Sequence, residues 1–147
     1  MANNDEQIDT KISRLRYAGA EEFVAESPSG HSIVTSFAHE QVKAPTPMEL
    51  ILTALGGCCG ADVVSILEKK RQKVTSYEIE VRGERRAEHP RIYTKIKVIH
   101  RLRGRGLESK AVADAIHLSE TKYCSVSGML SAAATISMSF EITEEET

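Results

Sequence analysis

An α+β fold is predicted by three features of the sequence: alternating apolar and polar stretches at both ends and in the middle, helical stretches between them, and one long helix that is apolar on nearly every side. The order of elements, βββ-α-ββ-αα-β, departs from the regular strand–helix alternation of a parallel sheet. The 147 residues suit a single domain. A chain of that length buries enough surface to fold without disulfides. The expected organisation is a flexible segment 1–9, one domain over 10–143 and an acidic tail 144–147.

Thr10 to Tyr17 reads as a first strand carrying Ile12, Leu15 and Tyr17. Phe23–Glu26, the turn Ser27-Pro28-Ser29-Gly30 and His31–Phe37 complete an antiparallel meander. A loop then ends in Pro45-Thr46-Pro47, with Thr46 as N-cap, Pro47 at the first helical position and Glu49 closing a capping box. A helix is predicted from there to about Arg71. Leu50, Ile51, Leu52, Leu55, Val63, Val64, Ile66 and Leu67 cannot share one face, and a helix apolar all round is a buried one. In so short a chain, burying every side calls for a second copy. The expected assembly is therefore an intertwined homodimer with antiparallel sheets packed around central helices. Gly56, Gly57 and Gly60 allow close backbone approach. Val74–Arg85 and Ile92–Leu102 read as a hairpin, Leu107–Tyr123 as a helix, Cys124–Ala132 as a short helix, and Thr135–Thr143 as a final strand.

A formal net charge of −2 gives no global field for nucleic acid or membranes. The arginines of the hairpin have no aromatic stacking platform beside them and read as a solvated face. Met1–Gln7 is polar and acidic, unlike a secretory signal. The longest apolar run is interrupted by Glu49 and Asp62 and falls short of a membrane span. A cytoplasmic protein with neither nucleic-acid nor membrane partners is expected. In that compartment three cysteines are reactive thiols, metal ligands or small buried residues rather than a disulfide framework.

Cys58 and Cys59 are neighbours on the apolar helix, about 100° apart in projection, so one of them at most should face a given site. Cys124 stands at the start of a later helix, where the dipole acidifies a thiol. Glycines around Cys58 open the backbone, and Glu49 places a carboxylate in the same apolar stretch. Gap-filling, redox chemistry and metal binding are all compatible with these positions. No CxxC or HxxxH spacing supports a metal, and none of the five histidines has a triad-like setting, so neither metal nor cofactor is expected.

The stretch Pro47-Met48-Glu49-Leu50-Ile51-Leu52-Thr53-Ala54-Leu55-Gly56-Gly57-Cys58 resembles the first signature of the OsmC/Ohr family of organic hydroperoxide resistance proteins. Tyr123-Cys124-Ser125-Val126-Ser127 resembles the second, and the Met-Glu-Leu and Gly-Gly-Cys wording is that of the OsmC-like subgroup with the YhfA-type proteins. The resemblance implies an OsmC-like homodimer that reduces organic hydroperoxides with a dithiol reductant. Cys58 then takes the attacking position, Cys124 the resolving one, and Glu49 helps organise the site. Glu49 lies nine residues before Cys58, about 900° of rotation along an unbroken helix, so it is expected to serve the partner's site. The family's arginine upstream of that glutamate is missing from Phe37–Lys43; His39, Lys43, Arg14 and Arg16 are the cations at hand. The other reading of the same scaffold is a thiol sensor or small-ligand binder.

Overall fold

The computed structural model describes residues 8–146, so the expected flexible segment 1–9 lies almost wholly outside the described residues. The chain packs as two compact units that divide between Leu50 and Ile51. The first holds the predicted meander: β1 (Arg14–Gly19), β2 (Glu22–Glu26) and β3 (Ser32–Ser36), each pair antiparallel. β1 begins at Arg14 rather than Thr10 because Arg14 pairs with Glu26, the last residue of β2. Tyr17, Phe23 and Phe37 cluster with ring centroids 5.6 to 6.3 Å apart. Leu15, Tyr17, Ile33, Val34 and Phe37 nevertheless stay exposed.

Helix α1 (Pro47–Lys69) starts where the capping box places it. The Thr46 N–H donates to Glu49 Oε2 at 3.1 Å, and the Glu49 N–H donates to Thr46 Oγ1 at 3.3 Å. It ends two residues earlier than expected. Arg71 takes a left-handed φ of 57°, and the Gln72 N–H reaches back to the Leu67 carbonyl at 2.9 Å. The three glycines do not break it.

In the second unit, β4 (Lys73–Arg85), β5 (Tyr93–Arg105) and β6 (Thr135–Glu144) form one sheet in that order. β4 and β5 are the predicted antiparallel hairpin. β5 and β6 are parallel, which corrects the expectation of wholly antiparallel sheets. A parallel pair needs a crossover, and α2 (Ser109–Leu118), a π-helical turn (Ser119–Tyr123) and α3 (Ser125–Leu130) supply it. The α+β class stands. The expected tail also starts later, since Glu144 closes β6 and the Glu145 N–H donates to the Gly104 carbonyl at 2.8 Å.

The core joins Val63 and Leu67 of α1, Leu102 of β5, and Val112, Ala115 and Ile116 of α2. On α1, Gly60 packs close against β4: a Cβ there would stand 2.6 Å from Ile79 Cδ1, which would have to turn aside. By length and composition α1 does meet the requirements of a membrane span, which corrects the expectation that Glu49 and Asp62 cut its apolar run short. One of its flanks, however, is committed to the sheet through Gly56 and Gly60. On the outer face of the sheet the arginines have acidic neighbours. Arg101 lies 3.3 Å from both Glu80 and Glu141, and Arg82 lies 3.0 Å from Glu80.

Candidate functional site

Three thiols meet where the crossover returns over the middle of α1. The helical repeat turns Cys58 and Asp62, four residues apart, to the same side. Their Sγ and carboxylate oxygen and the Sγ of Cys124 all lie within 4.8 Å of one another. Cys59, on the adjoining side of the helix, places its Sγ 3.5 Å from the Sγ of Cys124. Both neighbours therefore reach the distant cysteine, which corrects the expectation that only one would. The reason is that Cys124 approaches α1 between the two side-chain directions. Cys58 is half-buried, while Cys59 and Cys124 are buried.

Cys124 is held as the N-cap of α3, its Sγ accepting the Ser127 N–H at 3.3 Å. The preceding π-helical turn sets its position through an i to i+5 bond, Cys124 N–H to Ser119 carbonyl at 2.8 Å. The same turn aims the buried Ser119 hydroxyl at Asp62 Oδ2, 2.9 Å away. The predicted acidification of Cys124 does not hold. Burial pushes its thiol up, and the Ser127 N–H opposes this only in part. Burial, with the neighbouring Cys124 sulfur, pushes the Cys59 thiol up to about 12.

Tyr77 and His100 extend the polar cluster from β4 and β5. The Tyr77 hydroxyl lies 2.6 Å from His100 Nδ1. Burial drives the His100 pKa down to about 4 and that of Tyr77 up. With the tyrosine as donor, His100 Nε2 carries the proton and has no partner among the described residues. A depressed histidine pKa means the unfolded chain binds more protons between pH 6.5 and 4. Stability present above pH 6.5 is therefore lost as the pH falls through that window, roughly 3 kcal/mol by pH 4. Chemical denaturation of His100→Gln across this range should show a flatter slope than the unsubstituted protein; an identical slope would remove His100 as the cause.

The carboxylate of Glu49 is placed at the helix start, in the capping box with Thr46. It is half a turn out of phase with Cys58 along the unbroken α1. Arg14, Arg16, His39 and Lys43 belong with Glu49 to the first unit. Cys58, Asp62 and Cys124 also present the ligand atoms of a soft cation site. Filling it would require deprotonating Cys124, which burial opposes. Sequence reasoning missed Asp62, although its spacing of four from Cys58 was visible. It also missed Ser119, Tyr77 and His100, whose approach depends on the crossover and the sheet.

Fold and site together define an α+β scaffold in which a cysteine of one long helix faces a cysteine carried by a parallel crossover. That is the OsmC-like family, and the chain belongs to it: the family model described as OsmC-like protein matches residues 39–139. The chain is 45% identical over 130 residues to protein YhfA of Escherichia coli K12, covering 88% of this chain and 96% of YhfA. It is also similar to a hypothetical protein of known structure from Aquifex aeolicus. That match has 34% identity and a TM-score of 0.85, over 95% of this chain and all of the other. An organic hydroperoxide resistance protein OsmC from Legionella pneumophila shares the fold, with TM-score 0.67 and 12% identity over 91% of this chain and 98% of that one.

Proposed function

We propose that this chain is a cytoplasmic redox protein of peroxide defence that reduces organic hydroperoxides through Cys58 and Cys124. The observation that carries the reading is the pairing of a half-buried thiol with a buried one, their sulfurs within 4.8 Å, across 66 residues of sequence. The Cys58 thiolate attacks the distal peroxide oxygen, releasing the alcohol and leaving a sulfenic acid. Cys124 condenses with that acid, expelling water and forming a disulfide, which a dithiol reductant opens by exchange. A cleft of about 350 Å³ opens beside Asp62, with Lys69 and Lys70 on its wall; the apolar part, Ile66, Leu118 and Tyr123, suits the organic part of the substrate. The working unit in this reading is an intertwined homodimer. It covers the exposed Tyr17, Phe37 and Val64 and brings one copy's Glu49 to the other's thiols.

Reduced protein mixed with one equivalent of cumene hydroperoxide should lose two free thiols, and Cys58→Ser should lose none. Peroxide left unconsumed by the unsubstituted protein, or consumed equally by Cys58→Ser, would refute the reading.

A further inference from the structure

We infer that Cys59 is a third redox thiol that takes over the disulfide from Cys58, so that the oxidising equivalent moves from the accessible sulfur to a buried Cys59–Cys124 bond. The inference rests on the proposed peroxide chemistry only for the origin of the first disulfide.

Cys124 is the shared neighbour: Cys59 Sγ lies 3.5 Å from its sulfur, and Cys58 Sγ lies within 4.8 Å of it. Exchange needs the attacking and leaving sulfurs on opposite sides of the central one, about 4–5 Å apart at two sulfur–sulfur bond lengths. Neighbouring helical residues, with Cα atoms about 3.8 Å apart, span that distance. In the step itself the Cys59 thiolate attacks Cys124 Sγ, the Cys58–Cys124 bond breaks, and Cys58 leaves as a thiolate. One disulfide replaces another. The proton lost by Cys59 is the one Cys58 recovers, and no further oxidant or reductant is consumed.

Solvation gives the exchange its direction. Cys58 is half-exposed, so water stabilises it as the leaving thiolate, whereas a charge on the buried Cys59 has no such help. A neutral disulfide is the form best suited to that interior. Solvation also sets the pace. With the Cys59 thiol at about 12, only a minute fraction is nucleophilic at neutral pH. That fraction grows tenfold with each pH unit, and so should the transfer rate.

The transfer has a functional outcome. It regenerates Cys58 as a free thiol while Cys124, its resolving partner, is locked to Cys59. A second peroxide equivalent then leaves Cys58 as a sulfenic acid with no thiol to condense with, open to further oxidation or to an external thiol.

The test follows the disulfide directly. Reduced protein is oxidised with one equivalent of cumene hydroperoxide and, in parallel, with diamide, which makes disulfides without a peroxidase step. At timed intervals free thiols are blocked with one alkylating agent, disulfides are reduced and labelled with a second, and fragment-ion mass spectrometry separates Cys58 from Cys59. The second label should move from Cys58 to Cys59 while Cys124 keeps it, about 100-fold faster at pH 9 than at pH 7. After transfer, a second peroxide equivalent should give a dimedone adduct on Cys58, and Cys59→Ala should give none. A label that stays on Cys58 for hours at pH 9 after either oxidant overturns the inference. Migration after diamide, with no thiol lost to peroxide, upholds the relay and overturns the peroxidase reading instead.

Discussion

Cys124→Ser is expected to cut thiol loss per added hydroperoxide from two to one and to leave Cys58 as a sulfenic acid that dimedone captures. Excess peroxide should then carry it to sulfinic acid, and dithiol-supported turnover should collapse. Cys59 offers no substitute as resolving thiol. Adjacent residues hold their Cα atoms about 3.8 Å apart, below the usual disulfide span of about 4.4–6.8 Å, and bonding the pair would break α1 at its centre. The substitution should leave the fold intact. Cys124 is the N-cap of α3, a position where serine is among the preferred residues. Thermal melting therefore separates chemistry from folding: an unchanged Tm with lost turnover is the expected pair of results. Two thiols lost and normal turnover in Cys124→Ser would exclude Cys124 as the resolving residue.

The largest expected loss of stability comes from Gly104→Ala. Gly104 is buried at the end of β5, opposite Val74 and beside the irregularity in β4 register. A methyl group there would collide with the Lys73 carbonyl oxygen and stand 2.9 Å from Leu107 Cδ1. The carbonyl belongs to a paired strand and cannot turn aside as a flexible side chain would. The Gly104 carbonyl also accepts the Glu145 N–H, so displacing this residue loosens the far end of β6 as well. Overpacking of this kind costs about 3 kcal/mol or more, which in a chain of this size lowers Tm by about 10 °C. Equilibrium unfolding measures it; a loss below about 1 kcal/mol would mean that the strand ends separate without penalty.

Elements whose cause is local were legible in the sequence. Thr46, Pro47 and Glu49 announce the start of α1 within four residues, and both capping hydrogen bonds form. The hairpin was equally plain from its alternation. The direction of β6 was not, because alternation in Thr135–Glu144 is the same whether a strand pairs parallel or antiparallel. At the site, Cys58 and Cys124 were conspicuous through their surroundings in sequence. Cys59 was misjudged because projection along a helix says which way two side chains point, not where a third residue arrives. Cys124 arrives between them. The acidity expected of Cys124 failed for a related reason: the dipole of the six-residue α3 is a small effect beside burial, and burial is invisible one residue at a time.

The π-helical turn at Ser119–Tyr123 makes the second cysteine's place a matter of counting. Glu120, Thr121, Lys122 and Tyr123 lie outside the buried set, so their identities are under little constraint from packing, whereas the number of residues between Ser119 and Cys124 is not free. Deleting one would restore the ordinary helical repeat and swing Cys124 about 100° around the axis, away from α1. Apart from Tyr123, which lines the cleft beside Asp62, this stretch should therefore tolerate exchange of letters while resisting any change of length. Insertions and deletions, rather than substitutions, are the changes to which this part of the chain is most sensitive.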